Sequence, residues 1–265
     1  MNLLEIFIFG VLQGFFEWLP VSSTGELMLV MISFFDYSIE HASDVSFFLH
    51  IGTVISAIIY LRKDVKSVLS GLKNYKIGFD SNSNVLNFLI ISTIISGGLG
   101  FIIYIVIKEF SFSGEVFFGF VGIALIITGI LQKIMKTRGV KVQSDVQTKD
   151  SILLGIIQAF SVIPGISRSG LTMSAFLLRG YSGESSIRLS FLMGIPAIII
   201  AEIGLIGING LPDLSLEQMG IGLATSFVFG LISISIMLRI AKMSKIWLVP
   251  IIVGSISLIS FLSII

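Results

Sequence analysis

Cysteine is absent from the chain, which excludes disulfides and thiolate metal sites. Charge is nearly as scarce. Only 12% of the 265 residues are Asp, Glu, Lys or Arg, against about 25% in a soluble domain, too few to coat a water-facing surface. Histidine occurs twice and proline five times. A net charge of +1 gives no grounds for a nucleic-acid partner. The first ten residues, MNLLEIFIFG, have no basic stretch before the apolar run and carry Glu5, so they read as mature protein rather than a signal peptide. What remains is apolar: 54% of residues are hydrophobic and the mean hydropathy is +1.02.

Six apolar stretches are long enough to cross a bilayer, which takes about 20 helical residues. They are residues 45–62, 86–107, 115–135, 185–208, 217–238 and 246–264. Four shorter stretches, 3–18, 24–35, 151–163 and 169–180, form two pairs, broken by LPVSSTGE at 19–26 and IPGISRSG at 163–170. Short apolar helices joined by an unwound polar turn read as re-entrant hairpins, which survive at membrane depth only where protein or a wet cavity surrounds them. The expected fold is an all-α polytopic membrane protein, one membrane domain over residues 1–265.

The two pairs resemble each other. GVLQGFFEWLPVSSTG from Gly10 and GIIQAFSVIPGISRSG from Gly155 align at an offset of 145, matching Gln13 to Gln158, Phe15 to Phe160, Ser22 to Ser167 and Gly25 to Gly170. SFFLHIGT from Ser46 echoes SFLMGIPA from Ser190. The halves are then 1–144 and 145–265, each a hairpin plus three spans. Three spans is an odd number, so the second half starts on the opposite side, an inverted repeat with its site near the midplane.

Loop charge follows this layout. One side holds Arg62, Lys63, Lys66, Lys73, Lys76, Lys133, Lys136, Arg138, Lys141, Lys149, Arg179, Arg188, Arg239, Lys242 and Lys245; the other has only Lys108, among seven acidic residues. The positive-inside rule makes the basic side cytoplasmic, with both termini outside.

Glu17, Glu26 and Arg168 fall within the hairpins, where an ionisable group costs at least ~2.5–3.5 kcal/mol and calls for a reason. Gly10, Gln13, Gly14 and Glu17 share one helix face, consistent with close glycine packing. Ser23 and Glu26 stand three apart, as in a capping box opening the second half-helix; a catalytic carboxylate is the other reading of Glu26. Such a half-helix aims its free N–H groups and positive dipole end into the cavity, which suits phosphate, and Ser22, Ser23 and Thr24 add hydroxyls. Ser167 or Ser169 caps the equivalent half-helix. Arg168 offers a fork that matches phosphate oxygens, or a salt bridge to Glu17 or Glu26. His50, within the first span, reads as a packing residue and Glu202 as a helix–helix hydrogen-bonding group. Glu5 needs no function. These residues point to an anionic phosphate ester, with a carboxylate able to hold a divalent cation.

QGFFEWLPVSSTGE at 13–26, FFLHIGTVISAIIYLRK at 47–63, and QAFSVIPGISRSGLTMSAFLLRG at 158–180 followed by SFLMGIP at 190–196 resemble the undecaprenyl-diphosphate phosphatase family, also called bacitracin-resistance proteins. The resemblance covers nearly the whole chain. It implies hydrolysis of a polyprenyl diphosphate to the monophosphate and inorganic phosphate, dependence on Mg2+ or Ca2+, an active site opening to the outer face, and a homodimer. It carries over to Glu17, Ser23, Thr24, Gly25, Ser167 and Arg168. Two positions depart: Gln13 stands where the family usually has glutamate, and Glu26 where it has histidine.

The functional expectation is phosphoanhydride hydrolysis that recycles the lipid carrier of cell-envelope glycan synthesis. Ser23, Glu26, Glu17 and Arg168 are the catalytic candidates. Arg168, Thr24, Gly25, Ser22, Ser167 and Ser169 bind substrate, and Glu17 with Gln13 or Glu26 holds the cation. Ser23 is the nucleophile or orients a water, and Glu26 is the base. The alternative is a polyprenyl-phosphate flippase or transporter, because inverted repeats with broken helices mark transporters.

Overall fold

The computed structural model of the chain describes residues 1–72, 84–109, 114–134, 139–240 and 248–264. Lys73, Lys76, Lys136, Arg138, Lys242 and Lys245 lie outside the described residues.

Asn2 caps α1 (Leu3–Glu17), its side chain and that of Glu5 closing a reciprocal capping box. Trp18, Leu19 and Pro20 stop that helix, because proline has no N–H to continue it. Ser22 caps α2 (Ser23–Phe35). Asp36, in a left-handed conformation at φ 55°, ends it. The first full span, α3 (Ile39–Tyr60), follows a Ser38 cap. Past a break at Leu61, the segment expected as a loop is partly helical: α4 (Arg62–Leu72) is short and buries no residue. Then come α5 (Asn84–Glu109) and α6 (Gly114–Ile134).

The second half repeats this order without the equivalent of α4. A helix α7 (Thr148–Ala159) runs into a 3-10 turn, Phe160–Val162, and ends before Pro164. Ser167 caps α8 (Arg168–Leu178). Then follow α9 (Gly183–Asn209), α10 (Leu216–Ile240) and α11 (Leu248–Ile264). Pro196 sits inside α9 without ending it, as is tolerated in membrane helices where neighbouring groups satisfy the freed carbonyl.

All six expected spans are helices, and the four expected half-helices are present. Among the described residues, α3, α5, α9 and α10 are long and apolar enough to cross a membrane. Their outer faces are apolar: Ile94 and Ile203 are 69% and 68% exposed, surface that fits acyl chains rather than water. The chain is an all-α, multi-pass membrane protein.

Packing partners exchange between the halves. The long contacts are α1 on α10 and α7 on α5, with α3 on α10 and α9 on α5; α3 meets α9, and α6 meets α11. Glycines allow the closest approaches. A Cβ at Gly14 would lie 2.6 Å from the Ser226 carbonyl of α10, and one at Gly155 would lie 2.9 Å from Ile95 of α5. The expected glycine face of α1 is therefore a packing face. It seats α1 so that Gln13 and Glu17, both buried, point away from the lipid.

Candidate active site

The two hairpin tips touch each other. Ser22 Oγ accepts the Gly25 N–H at 3.3 Å, capping α2, and also the Gly165 N–H of the other tip at 3.2 Å. Ser169 Oγ donates to the Leu19 carbonyl at 2.6 Å. Gly165 has φ 91°, where a side chain is strained, and a Cβ there would lie 2.8 Å from the Val121 carbonyl of α6. Ser167 Oγ caps α8 by accepting the Gly170 N–H at 3.0 Å.

Glu17, at the last residue of α1, is the hub. Its Oε2 accepts from Gln13 Nε2 at 3.0 Å and from Ser23 Oγ at 2.6 Å, and stands 3.1 Å from His50 Nε2. Its Oε1 pairs with Nη2 of Arg168. His50 continues the chain of polar groups: Nδ1 lies 3.2 Å from the Phe47 carbonyl and 3.6 Å from Glu202 Oε1 on α9. Thr24 Oγ1 is 3.5 Å from His50 Nε2.

Arg168 is held in a tight slot. Its guanidinium carbon lies 5.0 Å over the Trp18 ring, a cation–π geometry. Gly194 makes room for it, since a Cβ there would overlap Nη1. That same Nη1 is buried and makes no hydrogen bond.

These groups line one end of a cavity of about 500 Å³. Thr93, Ser96, Gln158 and Ser161 add further polar groups to the wall, and an apolar stretch runs from Gly97, Gly98 and Phe101 of α5 to Ala201, Gly204 and Ile208 of α9. A Cβ at Gly97, Gly98 or Gly204 would meet nothing within 4 Å, so the small residues leave an open apolar slot between the two helices.

Glu17, Ser22, Ser23, Thr24, Arg168 and Ser169 line the cavity as neighbours. Gln13 supports Glu17 from within α1, and Gly25 and Ser167 build the tips. Glu26 does not line the cavity; it is 5% exposed, and its Oε1 has no partner. The expected Ser23–Glu26 capping box is not formed. The cap is Ser22, one residue earlier, which puts Glu26 one position beyond the box. Of the two serines offered as the cap of α8, Ser167 serves, and Ser169 joins the tips instead. Sequence reasoning left His50 and Glu202 outside the site, although an ionisable group in mid-span is a functional candidate by default. Trp18 and Gly194 carried no such signal.

Among the described residues, no group of three His, Cys, Asp or Glu side chains is placed to hold a metal ion. Glu17 already receives donors on both oxygens. Gln13 turns its amide nitrogen to Glu17 and leaves Oε1 buried without a partner. With Glu26 off the cavity, the expected set of Gln13, Glu17 and Glu26 does not fit a resident divalent cation.

Residues 6–257 match the family model described as bacitracin resistance protein BacA. The chain is 42% identical to an undecaprenyl-diphosphatase of Methanococcoides burtonii over 91% of this chain and 92% of that protein. It is 32% identical to one of Haloarcula marismortui over 97% and 96%, and 33% identical to one of Methanothrix thermoacetophila over 91% and 90%.

Proposed function

This chain belongs to the bacitracin resistance protein BacA family, and on that premise we propose that it hydrolyses undecaprenyl diphosphate, or a similar polyprenyl diphosphate, to the monophosphate and inorganic phosphate. The observation that carries this reading is the convergence of Ser23, Arg168 and Glu17 in a cavity that also has an apolar stretch between α5 and α9. The diphosphate takes the polar end, and the first stretch of the lipid tail takes the slot between α5 and α9. The relatives are named for hydrolysis, so the transport alternative is not favoured.

Arg168 binds the terminal phosphoryl group. Its free Nη1 is one arm of the fork, and Nη2 becomes the other on leaving Glu17. The first turns of α2 and α8 add N–H groups that an α-helix leaves without carbonyl partners. Ser23 attacks the terminal phosphorus, or orients the water that does, while Glu17 Oε2 takes the hydroxyl proton. The bond to the bridging oxygen breaks, and the lipid monophosphate leaves with the electron pair. On the serine route a water then attacks the phosphoserine, the Ser23 Oγ–P bond breaks, Ser23 regains its proton from Glu17, and inorganic phosphate leaves. Phosphoryl transfer depends mostly on positioning and charge neutralisation, which Arg168 and the helix ends supply. Glu26, which does not line the cavity, is not the base in this mechanism. No step is routed through a cation.

The exchanged packing partners support an inverted repeat, with the first hairpin entering from outside and the second from the cytoplasm. The site then opens to the outer face. A Lys73→Cys variant labelled only from the cytoplasm agrees with this orientation, and labelling from outside overturns it. The homodimer implied by the resemblance is tested by the mass of the protein in detergent. The function itself is tested by phosphate release from polyprenyl diphosphate by purified protein, with and without Mg2+ or Ca2+. Absence of release in every condition refutes it.

A further inference from the structure

The four groups on Glu17 do not anchor it equally. Gln13 is on the same helix, and Ser23 follows six residues later on the adjoining turn. Arg168 comes from the other hairpin, but phosphate binding draws it away. His50 is the remaining partner, and it belongs to a full span, α3. Its Nδ1 faces the Phe47 carbonyl and the Glu202 carboxylate of α9, which fixes the ring plane and leaves Nε2 directed at the oxygen that receives the Ser23 hydroxyl. His50 and Glu202 are both buried, at 7% and 6% exposure, and both line the cavity.

We propose that His50, held by Glu202, is a positioning residue that keeps the Glu17 carboxylate aimed at Ser23 when Arg168 turns from Glu17 to the phosphate. This role presupposes the diphosphatase reading above. A buried carboxylate that loses its guanidinium is free to rotate or to draw the arginine back. The α3–α9 clamp opposes both, because acceptors at both ring nitrogens suit the imidazolium, whose Nε2–H donates to Oε2 while Arg168 vacates Oε1. A misplacement of about 1 Å at a reacting group costs on the order of 100-fold in rate, so the clamp acts on turnover rather than on substrate affinity.

The test compares His50→Leu, His50→Gln, Glu202→Leu and Glu202→Gln, reading kcat and KM for phosphate release together with the melting temperature in detergent. His50→Leu is expected to lose on the order of 100-fold in kcat, with KM close to that of the unaltered protein. His50→Gln keeps an N–H donor and recovers most of the rate. Glu202→Leu loses less, and the double variant His50→Leu with Glu202→Leu is no slower than His50→Leu alone. A folded His50→Leu variant with unchanged kcat overturns the proposal. So does a loss confined to KM, which would make His50 a phosphate contact, or additive losses in the double variant. If His50→Leu does not fold, equal kcat in Glu202→Leu and Glu202→Gln overturns it. Failure of the diphosphatase reading is distinguishable, because it shows first, as absent release by the unaltered protein.

Discussion

The two hairpins share a frame and divide the chemistry. At equivalent positions, 145 residues apart, Glu5 and Asp150 each accept the N–H of the residue that precedes the helix, Asn2 at 2.7 Å and Gln147 at 3.0 Å. Each also accepts a tyrosine hydroxyl: Tyr37 reaches Glu5 at 2.7 Å, and Tyr181 reaches Asp150 at 2.8 Å. At the tips, Ser22 and Ser167 cap α2 and α8 in the same way. The first helical position then differs. It is Ser23 in one hairpin and Arg168 in the other, so one tip contributes a hydroxyl and the other a cation. Glu17 ends α1, whereas Val162 holds the equivalent place in the second hairpin. Identical hairpins would set like charge against like where the tips meet; the divergence at these few positions produces a compensated, heteropolar site.

Exchanging the cation is the most damaging way to break this division. Arg168→Ala should reduce turnover by about 1,000-fold or more, the range of a phosphate-stabilising arginine. Arg168→Lys should restore little, because lysine lacks the fork. A normal rate of phosphate release in Arg168→Lys would reduce the residue to a counter-charge for Glu17.

The caps give the next contrast. Ser167→Ala removes one cap bond, worth about 0.5–2 kcal/mol. Ser22→Ala removes the same bond and also the link to Gly165, so its melting temperature should fall further and its activity should fall with it. Equal melting temperatures would mean that the bond between the tips contributes nothing.

The hairpin bases differ in burial, and acid should separate them. Glu5 is held below the usual carboxylate range first by the Tyr37 hydroxyl; burial, and then the bond to Glu5, push that tyrosine up to about 12. Burial pushes Asp150 up, but the Tyr181 hydroxyl, Arg179 and the Gln147 N–H outweigh it and hold it low. A carboxyl with a lowered folded value stabilises above its unfolded pKa, about 4, and that contribution is lost as pH falls through the folded value. Melting temperature should therefore drop on acidification below pH ~4. Asp150→Asn should flatten that drop more than Glu5→Gln, because the Glu5 pair, only partly buried, is more screened by water than the buried Asp150.

The smallest effect belongs to Glu26, whose equivalent in the second hairpin is Leu171. Glu26→Leu copies that residue and removes a buried oxygen without a partner, so phosphate release should stay within a few-fold and the melting temperature should rise. A loss of ~100-fold, the low end for a general base, would restore Glu26 to catalysis.

Local pattern determined much of this protein. Length and hydropathy alone mark the six spans, since a bilayer demands about 20 apolar residues of helix. Proline and hydroxyl-rich breaks mark both tips, and the scarcity of charge makes Glu17 and Arg168 conspicuous. Spacing within one helix also placed Gln13 and Glu17 on a shared face. Tertiary structure decided what those residues meet. Whether Ser22 or Ser23 caps α2 depends on one residue of backbone geometry at the turn, and that step moved Glu26 off the cavity. His50 and Glu202 stand 152 positions apart, and only the packing of α3 against α9 brings them to Glu17. Helical periodicity gives each side chain a face, but the neighbour on that face is chosen by helices far away in the chain.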